Sequence, residues 1–346
     1  MRFLLTAAFV LMGSMVFAQE PAWIKTGEFQ WTCSPPYISA RTDGHDPDVA
    51  LKDPTIVFHD GYWHFFGTHR MQSGKVAMQY LKFKDWSEAD KVERHTLSFM
   101  EHYHCAPQVF YHTPHQKWYL IYQAAKDWHK AGATLPEDFD LVPVYSTTTD
   151  IADPQSWTAP QEMFPEGRTP KTHWIDFWVI CDDDKAHLFY TSDDGHFWRR
   201  ETAKENFPVR WGPEELVLKD TKEELFEASH TYKLKGRDEY LTIIEAMGPG
   251  FRYYKAWLAD KLEGPWRPLA ATRDKPFADT HINVTQPDPA WTTSISHGEL
   301  IRSRNDETLE IDPAALKFVI QGATTEGYRK KYSHIPWKIG VLELAK

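Results

Sequence analysis

A repeat restricts the fold more than any other feature of this chain. Five times, an apolar strand, a short polar turn and an aromatic-rich strand follow one another. The first unit runs from Asp53 through Thr55-Ile56-Val57-Phe58, turns at Asp60-Gly61 and continues into Tyr62-Trp63-His64-Phe65-Phe66. The second starts at Ala106, turns around His115-Gln116 and continues from Trp118 to Tyr122. The third starts at Ile175, turns between Asp182 and Lys185 and continues from His187 to Tyr190. The fourth starts at Leu225, turns between Lys235 and Asp238 and continues from Glu239 to Glu245. The fifth starts near Ile295, turns at Asn305-Asp306-Glu307 and continues from Leu309 to Ile311. Units spaced by roughly 50 to 70 residues are the mark of propeller blades. Periodicity near two dominates, and long amphipathic helical stretches are missing. With no Gly-, Ser- or Pro-rich linker, the expectation is an all-β chain forming a single five-bladed β-propeller. The segment from Glu28 to Cys33 is expected to close the ring against the last blade and so remove open sheet edges. A β-sandwich, the rival architecture, predicts more even strand spacing and no repeated two-strand opening.

The propeller is expected to occupy residues 19–346, because residues 1–18 read as a secretory signal peptide. Arg2 gives the positive start, Leu4 to Met12 the apolar stretch, and Val16-Phe17-Ala18 the small-residue cleavage site before Gln19. No Cys follows that site to take a lipid, so the expectation is a secreted protein, extracellular or periplasmic, without a membrane anchor. The formal charge of −10 disfavours nucleic acid and anionic lipid and suits a neutral substrate. Cys33, Cys105 and Cys181 allow at most one disulfide and lack metal-ligand spacing. The chain is rich in Trp, most of which reads as filling for a β core, with some available as sugar-stacking platforms.

The acidic residues fall at telling places. Asp53 opens the first unit, Asp176 the third and Glu227 the fourth. The first strand of each propeller blade lines the central axis, so residues at one end of these strands converge. Taken singly, each could be a solvent-facing strand end, and Asp53-Pro54 could simply mark a strand entry. Together, three carboxylates among apolar neighbours are costly without a partner or a purpose. Glycosidic bond cleavage needs two carboxyls, one acid for the leaving oxygen and one base for water. A third nearby can keep the acid protonated through like-charge repulsion.

Other motifs say less. His102-Tyr103-His104-Cys105 has no complementary pair at metal-ligand spacing, and Asp182-Asp183-Asp184 reads as a hairpin turn rather than a calcium loop. No G-x-S-x-G, H-E-x-x-H or phosphate-cradling glycine motif occurs. His297 opens the fifth unit within Ser296-His297-Gly298-Glu299 and is expected to face the axis, either as a core histidine or in contact with an ion or the active site.

Six strings in consistent order resemble glycoside hydrolase family 62 from about Phe29 to the C-terminus. They are Lys52-Asp53-Pro54-Thr55, Ala106-Pro107-Gln108-Val109-Phe110, Trp118-Tyr119-Leu120-Ile121-Tyr122-Gln123, the stretch from Trp174 to Asp183, Leu225-Phe226-Glu227-Ala228-Ser229, and the stretch from Ile295 to Arg302. The resemblance implies an inverting, exo-acting α-L-arabinofuranosidase that releases L-arabinose side chains from plant arabinoxylan. It implies Asp53 as general base, Glu227 as general acid and Asp176 as the residue that orients and tunes the acid. It further implies that Lys52, Arg252 and Tyr332 contact the sugar, and that His297 holds a structural calcium ion with water completing the shell. The chain departs from the family pattern at Ser333, where an amide usually follows the Tyr, and at Ala314, where a Cys is frequent. The expected partner is cell-wall arabinoxylan, with neither nucleic acid nor membrane, and the expected state is a monomer. Two alternatives stay open: a related five-bladed xylosidase or arabinanase, and a non-catalytic carbohydrate-binding propeller.

Overall fold

In the computed structural model, residues 20–125, 128, 141–165 and 173–345 are described. The leader-like segment 1–18 lies outside them. Each hairpin forms where β-branched and aromatic residues alternate on either side of a residue able to take positive φ. In the first blade Asp60 and Gly61 have φ of 48° and 78°, a two-residue turn that sets His59 opposite Tyr62. Its four strands, Asp48–His59, Tyr62–Met71, Val76–Phe83 and Arg94–Thr96, lie side by side in chain order. The second blade repeats this order with His104–His112, Lys117–Ala125, Leu141–Thr148 and Gln161–Glu162. The third repeats it with Ile175–Cys181, Lys185–Thr191, His196–Ala203 and Glu215–Lys219.

The fourth blade uses His230–Leu234, Tyr240–Gly248, Phe251–Ala259 and Arg267–Thr272, with Lys275–Pro276 outside them. The fifth is Ser294–Leu300, Lys317–Ala323 and Lys338–Leu344, completed by Trp31–Cys33 from the other end of the chain. Trp31 pairs with Leu344, Thr32 with Glu343 and Cys33 with Leu342. That is the expected closure. Blades one to five pack in a ring, each against the next and the fifth against the first.

The fifth unit differs from its sequence reading. Its second strand is Lys317–Ala323. The predicted partner around Leu309 to Ile311 instead forms a two-residue strand, Glu310–Ile311, parallel to the inner strand of the fourth blade. Pro313, which has no N–H to offer a ladder, follows closely, while Leu309 and Ile311 bury their side chains in the main core. That core joins the third, fourth and fifth blades around Trp31, Trp174 and Trp178. Cys33, Cys105 and Cys181 are buried free thiols. Among the described residues, no helix is long and apolar enough to cross a membrane.

Candidate active site

The site is built by one irregularity repeated around the ring. In a regular strand, neighbouring side chains point to opposite faces. Four inner strands skip a register at the same place: between Lys52 and Thr55, Cys105 and Gln108, Ile175 and Trp178, and Ser296 and Glu299. At the skip Asp53, Ala106 and Asp176 adopt φ of 52°, 49° and 56°, and Ala228 takes 50° at the corresponding point of the fourth blade. His297 holds that place in the fifth. A bulge of this kind re-aims a side chain, so both members of Lys52-Asp53 and of Ile175-Asp176 reach the same cavity.

Asp53 and Asp176 therefore are equivalent, but Glu227 is not. It lies one residue before the bulge, in the place of Lys52 and Ile175, and Ala228 occupies the Asp position. The sequence reading that set all three carboxylates at matching positions is corrected by one residue. The fourth blade differs because its ladder starts only at His230, with Phe226 and Glu227 tied separately to Glu245 through backbone hydrogen bonds of 2.9 and 3.0 Å.

The cavity measures about 530 Å³, and every site residue expected from the sequence lines it: Lys52, Asp53, Asp176, Glu227, Arg252, His297 and Tyr332. Its aromatic walls are Tyr103, Phe226 and Tyr332; no Trp lines it among the described residues. The sugar-platform reading of the tryptophans thus does not hold at this cavity; the largest buried indoles, such as Trp31, Trp174 and Trp178, are spent on the core.

Asp53 and Asp176 share a side chain and a backbone geometry but not a charge environment. Burial pushes the Asp53 carboxyl up, yet Lys52, His297 and the Thr68 hydroxyl outweigh it and hold it below the usual carboxylate value. Lys52 Nζ stands 3.7 Å from Asp53 Oδ2, and His297 Nδ1 3.5 Å from Oδ1. At Asp176, burial is joined by repulsion from Glu227 and Asp53, and its carboxyl is held well above the usual value. The Ala228 N–H donates to Asp176 Oδ2 at 2.8 Å, anchoring the backbone directly beside Glu227.

Sequence reasoning missed the layer behind these groups. The fully buried Glu245 accepts from Arg252 Nη1 at 2.7 Å and from the His297 N–H at 2.7 Å. Burial first, then repulsion from Glu227, raise its carboxyl to about 7 against the pull of Arg252. Arg252 Nη1 also donates to Glu227 Oε1, so this arginine is held by carboxylates as well as facing the cavity. Gln321 accepts from the Asp53 N–H at 2.7 Å, and Gln123 accepts from the Asp176 N–H at 3.0 Å. Two glutamines thus satisfy the amides that the bulges remove from the ladder. The only sequence signal was a carboxylate inside the apolar run Leu241-Thr242-Ile243-Ile244-Glu245-Ala246.

Calcium takes 6 to 8 oxygen ligands as a rule. His297 offers one ring nitrogen, which faces Asp53 at 3.5 Å and Asp176 at 3.8 Å. Among the described residues, the sole three-donor group is Asp182, His187 and Glu263, none of which lines this cavity. A calcium ion at His297 would take it as a single nitrogen ligand beside Asp53 and Asp176, with water supplying the remaining oxygens.

The family profile described as glycosyl hydrolase family 62 matches residues 30–343. The chain belongs to glycosyl hydrolase family 62. It is 37% identical over 325 residues to alpha-L-arabinofuranosidase C of Cellvibrio japonicus, covering 92% of this chain and 47% of that protein. The chain thus spans about half the length of that curated relative. A crystal structure of an alpha-L-arabinofuranosidase from Podospora anserina in complex with cellotriose is 35% identical, with TM-score 0.83, covering 92% of this chain and 98% of that one. A family 62 hydrolase in complex with xylotriose is 33% identical, with TM-score 0.82, covering 93% and 99%.

Proposed function

We propose that this chain is an exo-acting α-L-arabinofuranosidase that releases L-arabinose from arabinoxylan with inversion of configuration. The observation that carries the reading is the opposed tuning of two equivalent carboxyls in one cavity, Asp53 held low and Asp176 held high beside Glu227. A carboxyl held low is suited to be the base, and one held protonated at Asp176 is suited to support the neighbouring acid rather than to replace it. In this reading Asp53, ionised beside Lys52 and His297, takes a proton from water as that water attacks the anomeric carbon. Glu227 gives its proton to the departing xylose oxygen. Asp176 orients the acid through its bond to the Ala228 N–H and keeps a proton available beside it. Lys52, Arg252 and Tyr332 contact the sugar: Lys52 Nζ donates to the Tyr332 hydroxyl at 3.2 Å, and the Arg252 guanidinium lies over the same ring.

Substrate choice rests on likeness: relatives carry arabinofuranosidase names, and one is bound to a xylo-oligosaccharide. The leader-like residues 1–18 support export of the protein to the periplasm or medium. Incubation with wheat arabinoxylan should liberate arabinose while the backbone keeps its length. Early NMR spectra should show the anomer opposite to that of the bond cleaved. Asp53→Ala and Glu227→Gln should each lower kcat by about 10²- to 10⁴-fold. Release of xylo-oligosaccharides, or retained configuration, would overturn the reading.

A further inference from the structure

A second cavity, of about 340 Å³, adjoins the first. Lys52, Tyr103 and Tyr332 line both, so these side chains stand between the two. The volume falls within the range of ligand pockets, about 300 to 1,000 Å³. Its floor is a cross-strand row in the first blade, with Ala50 opposite Arg70 and Arg70 opposite Val76. Residues two apart share a face, so Arg70 projects on the same side as Thr68, which pairs with Lys52. Trp337 supplies a further wall; its indole is buried, and its Nε1 has no hydrogen-bond partner. Lys331 and Ser333 complete the lining beside Tyr332.

The charge of this cavity runs against that of the molecule. Lys52, Arg70 and Lys331 line it, and no carboxylate does among the described residues, in a chain of net charge −10. Lys52 is engaged by Asp53 and Tyr332. The side chains of Arg70 and Lys331 form no ion pair or hydrogen bond with another described residue. A half-buried guanidinium, a second cation and apolar and aromatic walls are the parts needed to hold a sugar ring that carries a negative charge. The fork of an arginine matches a carboxylate through two parallel hydrogen bonds, and aromatic faces cover the C–H surface of the ring.

We propose that this cavity is a subsite for a uronic acid, carried as a neighbouring substituent on the same polysaccharide whose arabinose enters the main cavity. The proposal rests on the arabinofuranosidase reading for the placement of that polysaccharide. Arg70 and Lys331 bind the carboxylate, and Tyr103 and Tyr332 flank the ring. The enzyme would thereby favour acidic arabinoxylan over neutral arabinoxylan.

The test compares two arabinoxylo-oligosaccharides that differ only in a glucuronic acid on a neighbouring xylose. The wild type should show the higher kcat/KM on the acidic one. The acidic-to-neutral ratio should fall by roughly tenfold in Arg70→Gln, the loss of one charge-assisted contact. It should also shrink in the wild type at about 0.5 M salt, where exposed charges are screened. Independently of turnover, methyl glucuronide titrated into Glu227→Gln should bind, as followed by ligand-observed NMR, and bind more weakly once Arg70→Gln or Lys331→Gln is added. Equal ratios in both enzymes, with no glucuronide binding, would overturn the subsite while leaving arabinose release intact. Glucuronide binding without arabinose release from either oligosaccharide would instead sink the arabinofuranosidase reading and retain an acid-binding pocket.

Discussion

At Asp53 and Asp176, one residue type stands at one backbone conformation in two blades, and neighbours alone divide their roles. Lys52 is adjacent to Asp53 in sequence and in the cavity; Glu227 reaches Asp176 from the next blade. Removing the first neighbour should therefore move the base. In Lys52→Met, burial of Asp53 is opposed by less positive charge, so the acidic limb of kcat/KM against pH should move to higher pH. An unmoved limb would mean that Lys52 does not tune the base. Asp176 makes an opposite prediction about stability. Its folded carboxyl is raised, so as pH rises above the ordinary carboxylate range, near 4, the unfolded chain loses its proton first and stability falls. Asp176→Asn cannot lose that proton. The variant should lose activity, yet its Tm relative to wild type should rise between pH 4 and 8, as read by calorimetry at several pH values. A difference in Tm that stays flat with pH would show that Asp176 ionises normally.

At the scale of the strand, the bulges matter more than the residues they carry. Left-handed backbone at Asp53, Ala106, Asp176 and Ala228 costs roughly 1 to 2 kcal/mol at each. Their recurrence at the rim of one cavity marks strain placed where side chains must be re-aimed. The fifth blade achieves the turn differently, with Gly298 next to His297. A Cβ on Gly298 would lie 2.5 Å from Val319 O and 2.7 Å from the Phe318 ring. The first of these is backbone of a paired strand and cannot yield cheaply. Gly298→Ala should cost about 1 to 3 kcal/mol in denaturant unfolding. It should also lower kcat, because His297 shifts relative to Asp53 and Asp176. A neutral effect on both would show that the fifth inner strand has slack.

Across the whole molecule, the seam between the chain ends decides whether the ring stays shut. Trp31 is fully buried there, donates from Nε1 to Phe277 O at 2.6 Å and packs edge-on against the Phe277 ring at 5.2 Å. Trp31→Ala should cost roughly 3 to 5 kcal/mol. Hydrogen exchange should then quicken first in Trp31–Cys33 and Lys338–Leu344, the strands that form the seam. Unfolding that begins elsewhere would argue that the seam is not the weak point. The hairpin periodicity by itself determined the all-β class, the number of blades and the closing role of the segment before Cys33, because each rests on local alternation and turn chemistry. It also placed Asp53, Asp176, Glu227 and His297 at the axis, since an inner-strand start is a local property. Local pattern failed at Leu309 to Ile311, where two apolar residues found better burial against the fourth blade than beside their own. It also missed that Glu227 sits one place off the bulge. The same limit hid Glu245, Gln123, Gln321 and the basic cavity around Arg70. Most of their partners lie dozens to hundreds of residues away, such as His297 for Glu245 and Asp53 for Gln321, and only the closed ring brings those groups within reach of one another.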